Sequence, residues 1–215
     1  MAEKKKPKRE PKSYHHGNLQ RVVLEKAVTH IQKNGVQSLS IRDIAREIGV
    51  SHTAPYRHFP DKQSLLGAIA LEGYQMLIKR VQEVVDASHS LSVQIENMAW
   101  EYTQFVLNYP VYAELMFSKV LQEREKLPEL NEAGAKLFAI GEMIIRQGQV
   151  KKKIVNGDVN IIAASAWAHV HGLALLLSSG RIGKNVPKAE GVGGLKALVT
   201  HSTQLLFAGI LLEKK

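Results

Sequence analysis

Residues 38–66, SLSIRDIAREIGVSHTAPYRHFPDKQSLL, hold two helical stretches divided by Gly49 and closed by Pro60. Neither is long enough to be stable alone. The first opens on Ser40-Ile-Arg-Asp43, a capping box with Asp in the place of Glu, and turns Ile41, Ile44, Ala45 and Ile48 to one face. The second, from Ser51 to about Phe59, has only Ala54 and Phe59 as strongly apolar residues. Ser51, His52, Thr53, Tyr56, Arg57 and His58 are left to face outward. A helix with so little to bury frays unless neighbours hold it, so Phe59 is its expected anchor and the outer face needs another purpose.

Two helices joined by about four residues containing Gly form the helix-turn-helix pattern. The first helix braces, the Gly lets the backbone turn sharply, and the second presents its outer face to base edges in a major groove. The plainer reading is a helical pair with a solvated outer face. Charge favours the groove. The chain carries a formal +9; residues 1–62 hold 13 Lys and Arg against 6 Asp and Glu, and the other 153 residues only 16 against 14. Part of the excess lies in MAEKKKPKREPK, but it continues into patterned sequence. A one-ended positive field points to a polyanion, nucleic acid before membrane.

The rest of the chain bounds the fold. There is no Cys, which excludes disulfides, thiolate catalysis and Cys-based zinc sites and fits a cytoplasmic location. No unbroken apolar run of ~18 residues occurs, so no membrane span is expected, and the basic N-terminus lacks the apolar block of a secretory signal. Leu19, Val23, Ala27 and Ile31 predict a first helix capped by Asn18 and ended by Gly35 in a left-handed conformation. Asp61 is the predicted cap of a long helix reaching about residue 86; further helices are predicted at 91–108, 111–125, 129–148, 158–179 and 194–212. No strand pattern or repeat is present. The expectation is an all-α chain of about nine helices. It comprises a basic disordered tail (1–16), a helix-turn-helix domain (17–77, motif 40–59) and a larger helical ligand-binding and dimerisation domain (78–215).

Chemistry assigns candidate DNA contacts. Ser40, Ser51 and Asp61 stand at helix starts where free N–H groups attract phosphate, and Arg42 and Lys62 add charge. Tyr56 and His58 can reach the backbone, His52, Thr53 and Arg57 base edges, with Arg57 forking to guanine. Pro55 completes the candidate set. Farther on, Trp100, Tyr102, Phe105, Tyr109, Tyr112, Met116 and Phe117 concentrate most of the aromatic content, and Trp167-Ala-His169-Val-His171-Gly172 follows. Such clusters are more often core; the alternative is a pocket for an apolar or aromatic ligand, with Trp167 and His171 at its wall. His169 and His171 point about 200° apart on a helix and cannot share one ion, so no metal or cofactor is expected. The 158–179 and 194–212 helices are apolar nearly all round, with small residues Gly172, Ala174, Ala208 and Gly209; two copies packing there as a four-helix bundle would make a homodimer.

The run GNLQRVVLEKAVTHIQKNGVQSLSIRDIAREIGVSHTAPYRHFPDKQSLLGAI resembles the N-terminal domain of the TetR (tetracycline-repressor-like) family of transcriptional regulators, over residues 17–77. The resemblance implies a homodimer whose third helices enter major grooves of a palindromic operator, an eighth and a ninth helix at the dimer contact, and a C-terminal pocket for a small inducer. Trp167, His171 and Gly172 resemble the Trp-His-Gly signature of one subgroup. Pro55 departs from the family's usual aliphatic residue and is predicted to bias Ala54 away from the right-handed helical region and delay the third helix. A small all-α enzyme using the aromatic pocket lacks a nucleophile–base spacing, phosphate loop or carboxylate pair, so no enzyme is expected. A non-specific nucleic-acid binder would differ by losing sequence preference.

Overall fold

Every fourth residue of the first helix is apolar, and burial follows that period. In a computed structural model, which describes residues 19–86, 88–117, 119–121, 127–182 and 191–209, Leu19, Val23, Ala27 and Ile31 are the buried stripe of α1 (Leu19–Asn34). The Asn18 cap, the basic tail with His15 and His16, and Ile210 and Leu211 lie outside the described residues. The remaining α-helices are α2 (Ile41–Ile48), α3 (Lys62–Val84), α4 (Leu91–Asn108), α5 (Pro110–Phe117), α6 (Pro128–Val150), α7 (Val159–Ser178) and α8 (Gly191–Ala208). Two 3₁₀ turns, Val36–Ser38 and Pro55–Arg57, complete the regular structure. Among the described residues there is no strand, and the all-α expectation holds.

Contacts divide the chain into two units, Met1–Leu65 and Leu66–Lys215, and α3 supplies the last residues of one and the first of the other. In the first unit α1 packs on α2, and both touch the Pro55–Arg57 turn. Ile41, Ile44, Ala45, Pro55, Phe59 and Leu65 are buried, so Phe59 is the anchor its position predicted.

Three local details differ from expectation. Gly35 has φ 79° and ψ 159°, a positive φ outside the left-handed helical region, because a 3₁₀ turn must start at once rather than a loop. Gly49, by contrast, is left-handed at φ 76°, ψ 28° and ends α2 there, its N–H bonding Arg46 O. The largest difference is at 51–59, where the predicted short α-helix is a chain of tight turns. Ala54 N–H bonds Ser51 O, Arg57 N–H bonds Ala54 O and His58 N–H bonds Pro55 O. Pro55 has no N–H to offer Ser51, so the carbonyl takes the nearer donor and the coil tightens. Ala54 itself is right-handed (φ −60°, ψ −46°), contrary to the pre-proline bias, because burial of Pro55 and Phe59 outweighs that preference.

The second unit is built round α4, which packs against α5, α6, α7 and α8. One core cluster joins Ile95, Ile144, Ile145, Ile154, Ala163 and Phe207; another joins Ala99, Leu177 and Val199 with Trp100, Leu173 and Leu198 around them. Helix α5 ends at Phe117 rather than 125: the chain turns at 119–120 and buries Leu121, packing overriding helix propensity. Helix α8 starts at Gly191, three residues earlier than predicted, despite its glycines. By length and composition α7 could cross a membrane, although polar residues interrupt its apolar run. Its polar side chains, however, bond sideways to α4 and α8.

Candidate nucleic-acid interface and apolar cavity

The tight turns after Gly49 present a polar surface. Ser51, His52, Thr53, Tyr56, Arg57 and His58 are exposed, and among them Pro55 is buried, so of the candidate contacts it serves as a wedge into the core and does not face outward. Arg42 is exposed on α2, and neither it nor Arg57 has an ion pair among the described residues. Arg46, one turn on, is tied to Asp43 at 2.7 Å. Ser51 Oγ lies 3.3 Å from Thr53 Oγ1, so these hydroxyls steady each other.

Two of the predicted phosphate-attracting helix starts use their donors internally. Ser40 Oγ accepts the Asp43 N–H at 3.4 Å, and Asp61 Oδ1 accepts both the N–H (2.7 Å) and the O–H (2.8 Å) of Ser64. The Ser64 backbone N–H, then its hydroxyl, hold the Asp61 carboxyl below the usual carboxylate range. Lys62 donates to Gln37 O at 3.0 Å and so pins the start of α3 to the first 3₁₀ turn. The sequence gives no sign of the clamp behind this surface: Glu47 on α2 meets Lys26 Nζ at 3.0 Å and His30 Nδ1 at 3.5 Å on α1. The Lys26 hydrogen bond first, and the His30 one after it, lower the Glu47 carboxyl. These partners lie on separate helices, beyond the reach of any i, i+4 rule.

The second unit holds a partly open cavity of about 570 Å³ whose wall includes five of the nine predicted pocket residues: Tyr102, Met116, Phe117, Trp167 and His171. The other four lie elsewhere. Trp100 packs in the Ala99–Leu177–Val199 cluster, Phe105 is fully buried with its ring 5.3 Å from that of Tyr109, and Tyr112 donates its hydroxyl to Glu72 at 3.2 Å. Nearness in sequence misled, because α4 can aim only one stripe at the cavity. That stripe is Ile95, Met98, Ala99 and Tyr102, a helical i, i+3, i+4, i+7 set. Gly134, Leu137, Phe138 and Gly141 of α6 repeat the pattern.

At one end of the cavity the Tyr102 hydroxyl meets His171 Nδ1 at 2.6 Å, and the His171 ring lies 4.9 Å from Phe117 and 5.5 Å from Trp167. Burial pushes the Tyr102 phenol far up, partly offset by a hydrogen bond from Trp167, and pushes the His171 imidazolium down. Both groups are therefore neutral near pH 7. His169 turns the other way, to Ser202 Oγ at 2.8 Å on α8, as the two-residue spacing required. Among the described residues no cluster of three metal-ligating side chains occurs.

A third surface runs along α7, where Ile161, Ala164, Ala168, Leu175 and Leu176 are exposed at helical spacing with half-buried Gly172 between them. On α8, Ala197, Leu205 and Ala208 are exposed as well. Of the small residues predicted to admit a partner, Ala174 is fully buried within the unit and faces away from this stripe.

Comparison with known proteins matches both halves. Residues 23–69 fit the family described as bacterial regulatory proteins, tetR family, and residues 95–192 fit the tetracyclin repressor-like C-terminal domain. A nicotine-responsive transcriptional repressor of the helix-turn-helix type, HdnoR of Paenarthrobacter nicotinovorans, is 35% identical over 69 residues, 32% of this chain and 36% of that protein. The chain thus spans little more than a third of that relative. The nucleoid occlusion factor SlmA of Vibrio cholerae is 23% identical over 72% of this chain and 81% of its own. A solved structure of a protein of unknown function from Rhodococcus sp. RHA1 superposes with a TM-score of 0.76 at 29% identity, covering 94% of this chain and all of that one.

Proposed function

We propose that the chain, whose residues 23–69 match the bacterial regulatory proteins of the tetR family and whose residues 95–192 match the tetracyclin repressor-like C-terminal domain, is a sequence-specific transcriptional repressor, released from DNA by a small molecule held in the cavity of its second unit. The observation that carries this reading is the exposed Ser51–His58 face, held from behind by buried Pro55 and Phe59 and carrying Arg57, which has no ion pair among the described residues. Arg57, His52 and Thr53 read base edges, while Tyr56, His58, Ser51, Ser40, Arg42 and Lys62 position the backbone. The operator is a palindrome, and the protein binds it as a homodimer through the exposed stripes of α7 and α8. Trp167, His171 and Gly172 mark it as one of the Trp-His-Gly subgroup. Its site of action is the cytoplasm, where the DNA is.

The nicotine-responsive relative supports effector control, and the partly open apolar cavity supplies a place for it. The effector must favour the off-DNA state by ~1–3 kcal/mol to act as a switch. Selection of bound sequences from random duplexes tests the whole reading. A palindromic consensus preferred by ~10³ or more over random DNA is expected; binding without preference would overturn it and leave a non-specific binder.

A further inference from the structure

The cavity's chemistry goes further than its volume. Among the described residues no Asp, Glu, Lys or Arg lines it, and its polar focus is the Tyr102–His171 pair set in a wall of aromatic and aliphatic groups. The short contact within that pair bears on how it is protonated. At 2.6 Å the phenol, a far stronger acid than a neutral imidazole N–H, is the donor and His171 Nδ1 the acceptor. A neutral imidazole that accepts at Nδ1 carries its proton at Nε2. Among the described lining residues the site thus offers a neutral N–H donor at His171, with the amide of exposed Asn131, beside apolar surface, and no charge of either sign. At about 570 Å³ it is large enough for a drug-sized molecule, for which ~300–1,000 Å³ is usual.

We propose that the cavity selects an uncharged, mainly apolar molecule bearing a hydrogen-bond acceptor (a ketone, ether or hydroxyl oxygen) that His171 receives, and that it rejects carboxylates and amines. This rests on the reading of the cavity as the effector site. An ionised head brought against His171 would lose water with no counter-charge to meet it, whereas a carbonyl exchanges one hydrogen bond for another.

The test uses the full chain and displacement of the neutral fluorophore N-phenylnaphthylamine by octanone, octanol, octane, octanoate and octylamine. Octanone and octanol compete. Octanoate at neutral pH is weaker by at least ~100-fold, and gains about tenfold per unit of pH lowered towards its own pKa, because only the neutral acid enters. His171→Leu weakens octanone about tenfold and leaves octane unchanged or tighter. Tyr102→Phe, which frees Nδ1 and the fixed tautomer, weakens octanone several-fold. If His171→Leu does not fold by circular dichroism, Tyr102→Phe and the octanoate pH profile of the unaltered chain decide. Octanoate competing like octanol, without pH dependence, overturns the inference; so does octane losing as much as octanone in the His171 variant. Failure of the fluorophore and all five compounds to bind would instead remove the effector cavity itself.

Discussion

Asp61 accepts two hydrogens from Ser64 at the entrance to α3, and that makes a single carboxylate matter to the first unit. Asp61→Ala should cost about 1 kcal/mol at pH 7, read from urea unfolding. The sign with pH follows from its lowered value: the folded form holds its proton less tightly than the unfolded chain. Its contribution is complete above the unfolded pKa and fades as pH falls through the folded one, so the gap between variant and parent should close in acid. At the DNA surface two cations separate by role. Arg57→Ala should relax preference at one base pair by ~1–3 kcal/mol, measured by competition with single-base operator variants. Lys62→Ala should weaken all sequences alike and flatten the salt slope; it also loses the Gln37 bond, so its unfolding midpoint should fall where that of Arg57→Ala does not.

At the scale of elements, the two glycines bounding α2 separate by backbone region. Gly49 is left-handed, a region Asn tolerates, whereas Gly35 at φ 79°, ψ 159° occupies one that is essentially glycine's alone. Neither position has a neighbour within 4 Å of an added Cβ, so only backbone strain differs. Gly49→Asn should therefore cost under about 1 kcal/mol and Gly35→Asn about 1–3 kcal/mol, compared by thermal unfolding. The turn at 55–57 invites a converse test. Pro55→Leu restores an N–H that can reach Ser51 O, and Cα chemical shifts at 52–57 should move towards α-helix. Unmoved shifts would mean that burial of residue 55, and not the missing donor, tightens the segment.

For the whole molecule, the exposed apolar stripes of α7 and α8 determine whether one copy suffices. Ala168→Glu places a charge in the middle of the α7 stripe, and sedimentation velocity should show a monomer with operator affinity lowered by 10²-fold or more, since one half-site remains for each chain. Retained dimerisation would put the contact elsewhere.

Periodicity alone determined much here. Ala27 and Ile31 on α1, Ile41 and Ile44 on α2, the caps at Ser40 and Asp61, the anchor Phe59 and the ends of α4 are local patterns, and local sterics and hydrogen bonding settle them. The tertiary structure decided what depends on distant partners: the right-handed Ala54 before a buried proline, the Glu47 clamp to Lys26 and His30, and the parting of Tyr102 from Trp100 and Phe105. Sequence reveals that a helix has an apolar side; which side meets a cavity is fixed only when α6 and α7 close against it, because burial free energy depends on the neighbour and not on the residue.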